Sequence, residues 1–266
     1  MTRAERTTGN SLHSTGAVRS QSPVAGVISR DRLVIASCIV LITALAWIYL
    51  VHLSSQKMTM PMSTLWTGAD FFFTFAMWSV MMIGMMSATA FPVLSLFSGM
   101  QKNRTGRSLD KTVLLFGVGY LIVWVGFSAV AALAQWALHD GALLSTRMAT
   151  TSAVLGGTVL LLAGAYQLTP TKGACLRQCQ SPLGFLMTNW REGTKGAFVM
   201  GLKHGRYCLG CCWALMCVLF VVGVMNLAWV AALTAFILIE KFGRSGFYVA
   251  RLGGVAMMAA GLLVMK

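Results

Sequence analysis

Acidic residues are the scarcest chemistry in this chain, with 7 Asp and Glu against 21 Lys and Arg in 266 residues and only 11% charged residues of either sign. A soluble globular domain carries about a quarter charged residues, so this composition excludes an ordinary cytosolic enzyme. Glycine (27) and proline (5) are too few, and apolar residues at 57% too many, for low-complexity disorder or a fibrous repeat. No Ser-His-Asp set, Walker loop, dinucleotide fingerprint or H-E-x-x-H occurs, which removes the reaction classes built on them. No period of about 20 to 50 residues recurs, so solenoid arrays are excluded, and no inverted repeat of the transporter kind is visible.

What the chain has is hydrophobic length. A helix needs roughly 20 mostly apolar residues to cross the hydrocarbon core of a bilayer. Uncharged runs of that order occupy 33–51, 71–97, 112–138, 148–168, 207–225, 227–239 with its flanks, and 247–265. The expectation is an all-α, polytopic transmembrane helix bundle of about seven spans. The sixth run is short, which suits a tilted or half-buried helix, and an earlier start near Gly196 would lengthen the fifth.

Orientation follows from the basic residues in the short connections. Arg3, Arg6, Arg19, Arg30 and Arg32 precede span one, and Lys102, Arg104, Arg107 and Lys111 join spans two and three. Lys172, Arg177, Arg191, Lys195, Lys203 and Arg206 precede span five, and Lys241, Arg244 and Arg251 mark the last inner turn. Only Lys57, Arg147 and Lys266 remain for the other side, which predicts an N-terminus in the cytoplasm and a C-terminus outside the cell (inner) membrane. Charge distributed over every inner connection serves topology and anionic headgroups, so the basic balance does not indicate a nucleic-acid partner; the partner is the lipid bilayer. Residues 1–32, rich in Ser, Thr, Gly and Arg, cannot bury a core and read as a disordered basic cytoplasmic arm, leaving 33–266 as a single transmembrane helical domain. The first apolar run is long enough to stay in the membrane as a span, so it does not read as a cleaved signal.

Functional information concentrates in sulfur. On a helix His204, Cys208, Cys211 and Cys212 stand at i, i+4, i+7 and i+8, one continuous face. Gly201, Gly205 and Gly210 leave room there for a neighbouring helix. Clustered thiols with imidazole suit copper(I), zinc or iron by ligand softness, so a metal or redox site is one reading. The other is packing, because Cys is at home in buried helices and His204 can snorkel at the inner boundary. Cys175 and Cys179 form a C-x3-C pair in the inner connection between Pro170 and Pro182, able to add thiolates or act as a redox pair. Cys38 and Cys217 are isolated and read as structural.

Span two places Met77, Met81 and Met85 in one i, i+4 row and Met82 and Met86 in the next. Thioethers bind Cu(I) without the desolvation cost of a buried carboxylate, but Met also fills helix interfaces. The outer loop carries Met58, Met60 and Met62, alternate sulfurs that lie on one side of an extended segment facing an oxidising compartment. For the Met and Cys rows to form one site, spans two and five must be neighbours at similar depth, which an early start of span five favours. Asp70 reads as a helix N-cap, Glu240 as the partner of Lys203 or Arg206, and Asn226 as a turn residue that satisfies backbone groups.

The segment 201–241, with H-G-R-Y-C-L-G-C-C-W-A-L-M, G-V-M-N-L-A-W and E-K, resembles an uncharacterised family of predicted metal-binding integral membrane proteins, domain of unknown function 2182. The strings M-W-S-V-M-M-I-G-M-M-S-A-T-A-F-P in span two and Y-Q-L-T-P-T-K-G-A-C-L-R-Q-C-Q-S-P at 166–182 are similar to its other signatures. Ser87-Ala88 departs from a pattern in which Pro follows the Met pairs. The resemblance implies a polytopic metal-binding membrane protein and supplies no reaction.

Three functions fit these residues. The first is handling or transfer of a soft metal, copper before zinc or iron, with a metal donor or acceptor protein as partner. The second is a membrane-bound metal- or thiol-dependent redox enzyme, and the third a packing subunit of a membrane complex or homo-oligomer.

Overall fold

Inside a bilayer no water satisfies backbone N–H and C=O groups, so an apolar chain of this length is driven to helices that satisfy them internally. A computed structural model describes residues 30–55, 68–105, 111–141, 150, 152–243 and 245–266 of the chain. The arm 1–29 and the outer-loop residues Met58, Met60 and Met62 lie outside the described residues. Among the described residues every element is a helix: α1 (Arg30–Ser55), α2 (Gly68–Thr105), α3 (Lys111–Asp140), α4 (Ala153–Gln167), α5 (Pro170–Gln180), α6 (Pro182–Asn189), α7 (Gly193–Cys217), α8 (Leu219–Val222), α9 (Leu227–Phe242) and α10 (Gly246–Val264).

Five stretches are long and apolar enough to cross a membrane, namely Arg30–Ser55, Gly68–Gln101, Lys111–Asp140, Gly193–Val222 and Gly246–Val264. The fourth apolar run holds α4, which ends at Gln167; α5 leaves it at an angle of 64°, and the pair together is long and apolar enough for a sixth, bent crossing. α9, at 16 residues, is shorter than a straight crossing requires. The segment holding Cys175 and Cys179, expected as an inner connection, is helical. Thr169 caps α5 by accepting from the Lys172 N–H at 3.3 Å, and Pro170 and Pro182 stand in the first turns of α5 and α6, where a missing N–H costs nothing. The helix of span five starts at Gly193, three residues before the early start near Gly196 that sequence allowed.

Glycine sets which helices touch. A Cβ on Gly201 would collide with the Phe116 carbonyl and one on Gly119 with the Phe198 carbonyl, so α3 and α7 meet backbone to backbone. α4 and α10 repeat the device with Gly157 against Gly261 and Gly164 against Gly254. Across α2 and α3, the Trp78 Nε1–H donates to Gln135 Oε1 at 2.6 Å, a buried bond that fixes their register. The outward faces of α1 and α10, including Val40, Ile48, Leu252 and Leu263, remain exposed and apolar, consistent with helices that face lipid.

Candidate metal centre

The methionine rows of α2 and the cysteine face of α7 share one core. Met77, Met81, Met82, Met85, Met86, Cys208, Cys211 and Cys212 belong to a single buried cluster, with Cys175 and Cys179 of α5 packed against it. The approach depends on α3: because Gly201 and Gly205 bring α7 onto its backbone, Tyr120 reaches between the two sulfur rows. Its hydroxyl donates to the Met86 carbonyl at 3.0 Å and lies 3.1 Å from Cys208 Sγ and 3.0 Å from Thr89 Oγ1.

Each thiol has a distinct surrounding. Cys208 Sγ accepts from the Lys241 ammonium of α9 at 2.9 Å, and the same ammonium lies 4.0 Å from Met86 Sδ. One cation therefore touches a thiol of α7 and a thioether of α2. Cys211 and Cys212 each donate to the Cys208 carbonyl at 3.0 Å, bonds that an i→i−3 or i→i−4 thiol makes along its own helix. Cys211 also faces Cys179, with 4.0 Å between the sulfurs. The absent side chain of Gly210 gives Cys175 its place, since a Cβ there would lie 2.8 Å from Cys175 Sγ.

Among the described residues, no group of three or more His, Cys, Asp and Glu side chains stands in position to hold a metal ion. The thiols of Cys211 and Cys212 donate along their own helix while that of Cys208 meets Lys241, and Cys179 of α5 closes on Cys211 from the other side. His204 sits among aromatic rings. Its imidazole packs edge-on against Phe185 at 4.9 Å and beside Tyr120 at 5.9 Å and Phe116 at 6.2 Å. It does not snorkel: it is 2% exposed, and its Nδ1 has no hydrogen-bond partner among the described residues.

Two basic residues assigned to inner connections are in fact buried. Lys172 donates to both carboxylate oxygens of Glu240, at 2.9 and 2.8 Å, and the Gln167 amide adds a third bond at 3.1 Å. This corrects the expectation that Glu240 pairs with Lys203 or Arg206, which precede Cys208 on α7; the 64° turn into α5 delivers Lys172 to α9 instead. Asp70 lies within the first turn of α2 instead of capping it, because that helix begins at Gly68. Asn226 precedes α9 and its carbonyl accepts from Trp229 and Val230, but its side chain makes no capping bond.

Tyr120, Thr89, Lys172 and Lys241 are the residues of this region that sequence patterns missed. Lys241 had one available signal, a cation adjoining an acid at the end of an apolar run; Tyr120 and Thr89 had none, since each is an ordinary polar residue within an apolar stretch.

Neither a curated protein nor a solved structure matches the chain. A family model described as a copper chaperone, PpoB2, matches residues 75–264, which takes in all the Met, Cys and Lys side chains placed above and leaves out α1 and the outer-loop methionines. The metal expectation drawn from the motif resemblance agrees with that description, although the family name attached to it is not the one matched. With well over half its length matched, the chain belongs to the PpoB2 copper chaperone family.

Proposed function

We propose that the protein is a multi-pass membrane protein that accepts monovalent copper as cargo in the sulfur core between α2, α5 and α7 and hands it on to an acceptor protein. The observation that carries this reading is the enclosure of Met81, Met82, Met85, Met86, Cys208, Cys211 and Cys212 in one cluster, none more than 1% exposed. Leu, Ile and Val would fill such a core with better-defined rotamers, whereas thioethers and thiols add soft donors at no charge cost in hydrocarbon. Cys179 and Cys211, with sulfurs 4.0 Å apart, are already at a separation that metal–sulfur bonds of about 2.3 Å can span. Cys175, and His204 once its ring turns toward Cys208, complete the donor set, with Met58, Met60 and Met62 as the outer acceptor loop.

The reading includes the topology expected from charge, with seven crossings, the N-terminus inside and the C-terminus outside. Here α4 with α5 makes one bent crossing and α9 a short one. The residues before α1 are read as the cytoplasmic arm of the single helical domain, with 30–32, expected in that arm, belonging to α1.

The test is metal content. Protein purified in detergent under reducing conditions and loaded with Cu(I) is expected to hold about one copper per chain, without comparable zinc or iron, and the folded Cys208→Ser/Cys211→Ser/Cys212→Ser variant to lose it. Equal copper in the two proteins, or none in either, would overturn the sulfur site and leave these residues as packing.

A further inference from the structure

The buried charges around α9 fall into two sets. Glu240 is engaged by Lys172 and Gln167, on other helices, and not by the lysine beside it. Lys241, 5% exposed, turns instead toward sulfur, and among the described residues its polar contacts are Cys208 Sγ at 2.9 Å and Met86 Sδ at 4.0 Å. An ammonium costs much to bury and normally persists only beside a carboxylate or at a functional position. Here it stands where the two soft-donor rows meet.

We propose that Lys241 is a fixed cation that makes the sulfur core select monovalent over divalent soft metal ions. The inference rests on the metal-binding reading and concerns its specificity. Softness alone does not separate Cu(I) from soft divalent ions, because thiols and thioethers accept both. Charge does. In a low-dielectric interior, screened little by salt, an ammonium touching the ligands repels a divalent ion twice as strongly as a monovalent one. Lys241 has no carboxylate to retreat to, since Lys172 holds Glu240, and its enclosed stem keeps the positive charge at the site. For the same number of thiolates a divalent ion leaves the core one positive unit above a monovalent one, so beside Lys241 it must deprotonate a further thiol to be compensated inside hydrocarbon.

The experiment uses Ag(I) and Cd(II), both soft and both closed-shell, so that charge is the main difference between the probes. Affinities for each are measured with the full chain in detergent for wild type, Lys241→Gln and Lys241→Arg. The Ag(I)-to-Cd(II) affinity ratio is expected to fall by at least about tenfold in Lys241→Gln and to stay within about threefold of wild type in Lys241→Arg. A ratio taken within one protein cancels any loss of folded material or of thiol reactivity common to both ions. Silver binding by Lys241→Gln with an unchanged ratio would overturn the proposal. So would wild-type protein that binds Cd(II) as tightly as Ag(I), a result that needs no variant. Wild-type protein that binds neither ion sinks the metal-binding reading itself, a failure distinct from the other two.

Discussion

The sulfur of Cys179 lies 4.0 Å from the sulfur of Cys211, although the two residues stand on helices that meet only because the chain turns 64° after α4. That turn converts a C-x3-C pair in a connection into a wall of the buried sulfur core. Two thiols so placed can share a metal ion or be oxidised together. Treatment with the azo oxidant diamide, which takes up the two electrons and two protons the thiols lose, is expected to join Cys179 to Cys211 as a disulfide. Peptide mapping after alkylation would detect the link, and prior loading with Cu(I) should suppress it; the same yield with and without copper would show that the ion does not engage this pair.

Replacement of methionine by leucine separates ligation from packing. Met82→Leu/Met86→Leu conserves volume and should cost under about 1.5 kcal/mol per site, leaving the thermal midpoint in detergent nearly unchanged. The same change removes two thioethers, one of them 4.0 Å from the Lys241 ammonium, and is expected to lower Cu(I) affinity by at least about tenfold. Unaltered affinity would mean that this row fills space and nothing more.

The Lys172–Glu240 pair is 2.8 Å long, with both side chains almost entirely enclosed. Removing one partner leaves a buried charge uncompensated, so Glu240→Leu alone should destabilise by about 3–5 kcal/mol. Lys172→Met/Glu240→Leu should be the milder change, because no charge is then stranded. Denaturation in mixed micelles checks the order of the two, and a double variant worse than the single would show that the pair holds α5 to α9 by attraction.

Gly201 is where α7 touches the α3 backbone. Gly201→Val forces the two helices apart and should cost about 1–3 kcal/mol or more, with Tyr120 drawn away from Cys208. Gly117→Ala, on α3 but with nothing within 4 Å of an added Cβ, should be neutral or slightly stabilising. Thermal melts of the two variants side by side give the comparison, and equal midpoints would contradict the close approach.

Hydropathy was sufficient to find the apolar helices, because a run such as 112–138 admits no other backbone solution in hydrocarbon, and α3 covers it as Lys111–Asp140. It put the end of the run 148–168 within a residue of the end of α4 at Gln167, but gave no sign of the 64° turn into α5 that follows. The Thr169-Pro170 start signal is local and easily read, but the direction a new helix takes is set by what it packs against. Basic residues were overcounted as loop charges for a related reason: Lys172 and Lys241 look like boundary residues until their partners across the bundle are known.

The candidate site divides along the same line. Spacing alone determined that Met81, Met82, Met85 and Met86 share adjoining rows of one helix and that Cys208, Cys211 and Cys212 share a face of another, since 3.6 residues per turn leaves no freedom. Whether those faces meet, and that a tyrosine and a lysine stand between them, was decided by tertiary structure. Contacts between helices depend on glycines at Gly119, Gly201 and Gly205 acting in combination, and on an ion pair that claims Glu240 and so frees Lys241 for sulfur. Periodicity along one helix carries no information about which partner its face will find; close approach, charge pairing and the exclusion of water settle that together.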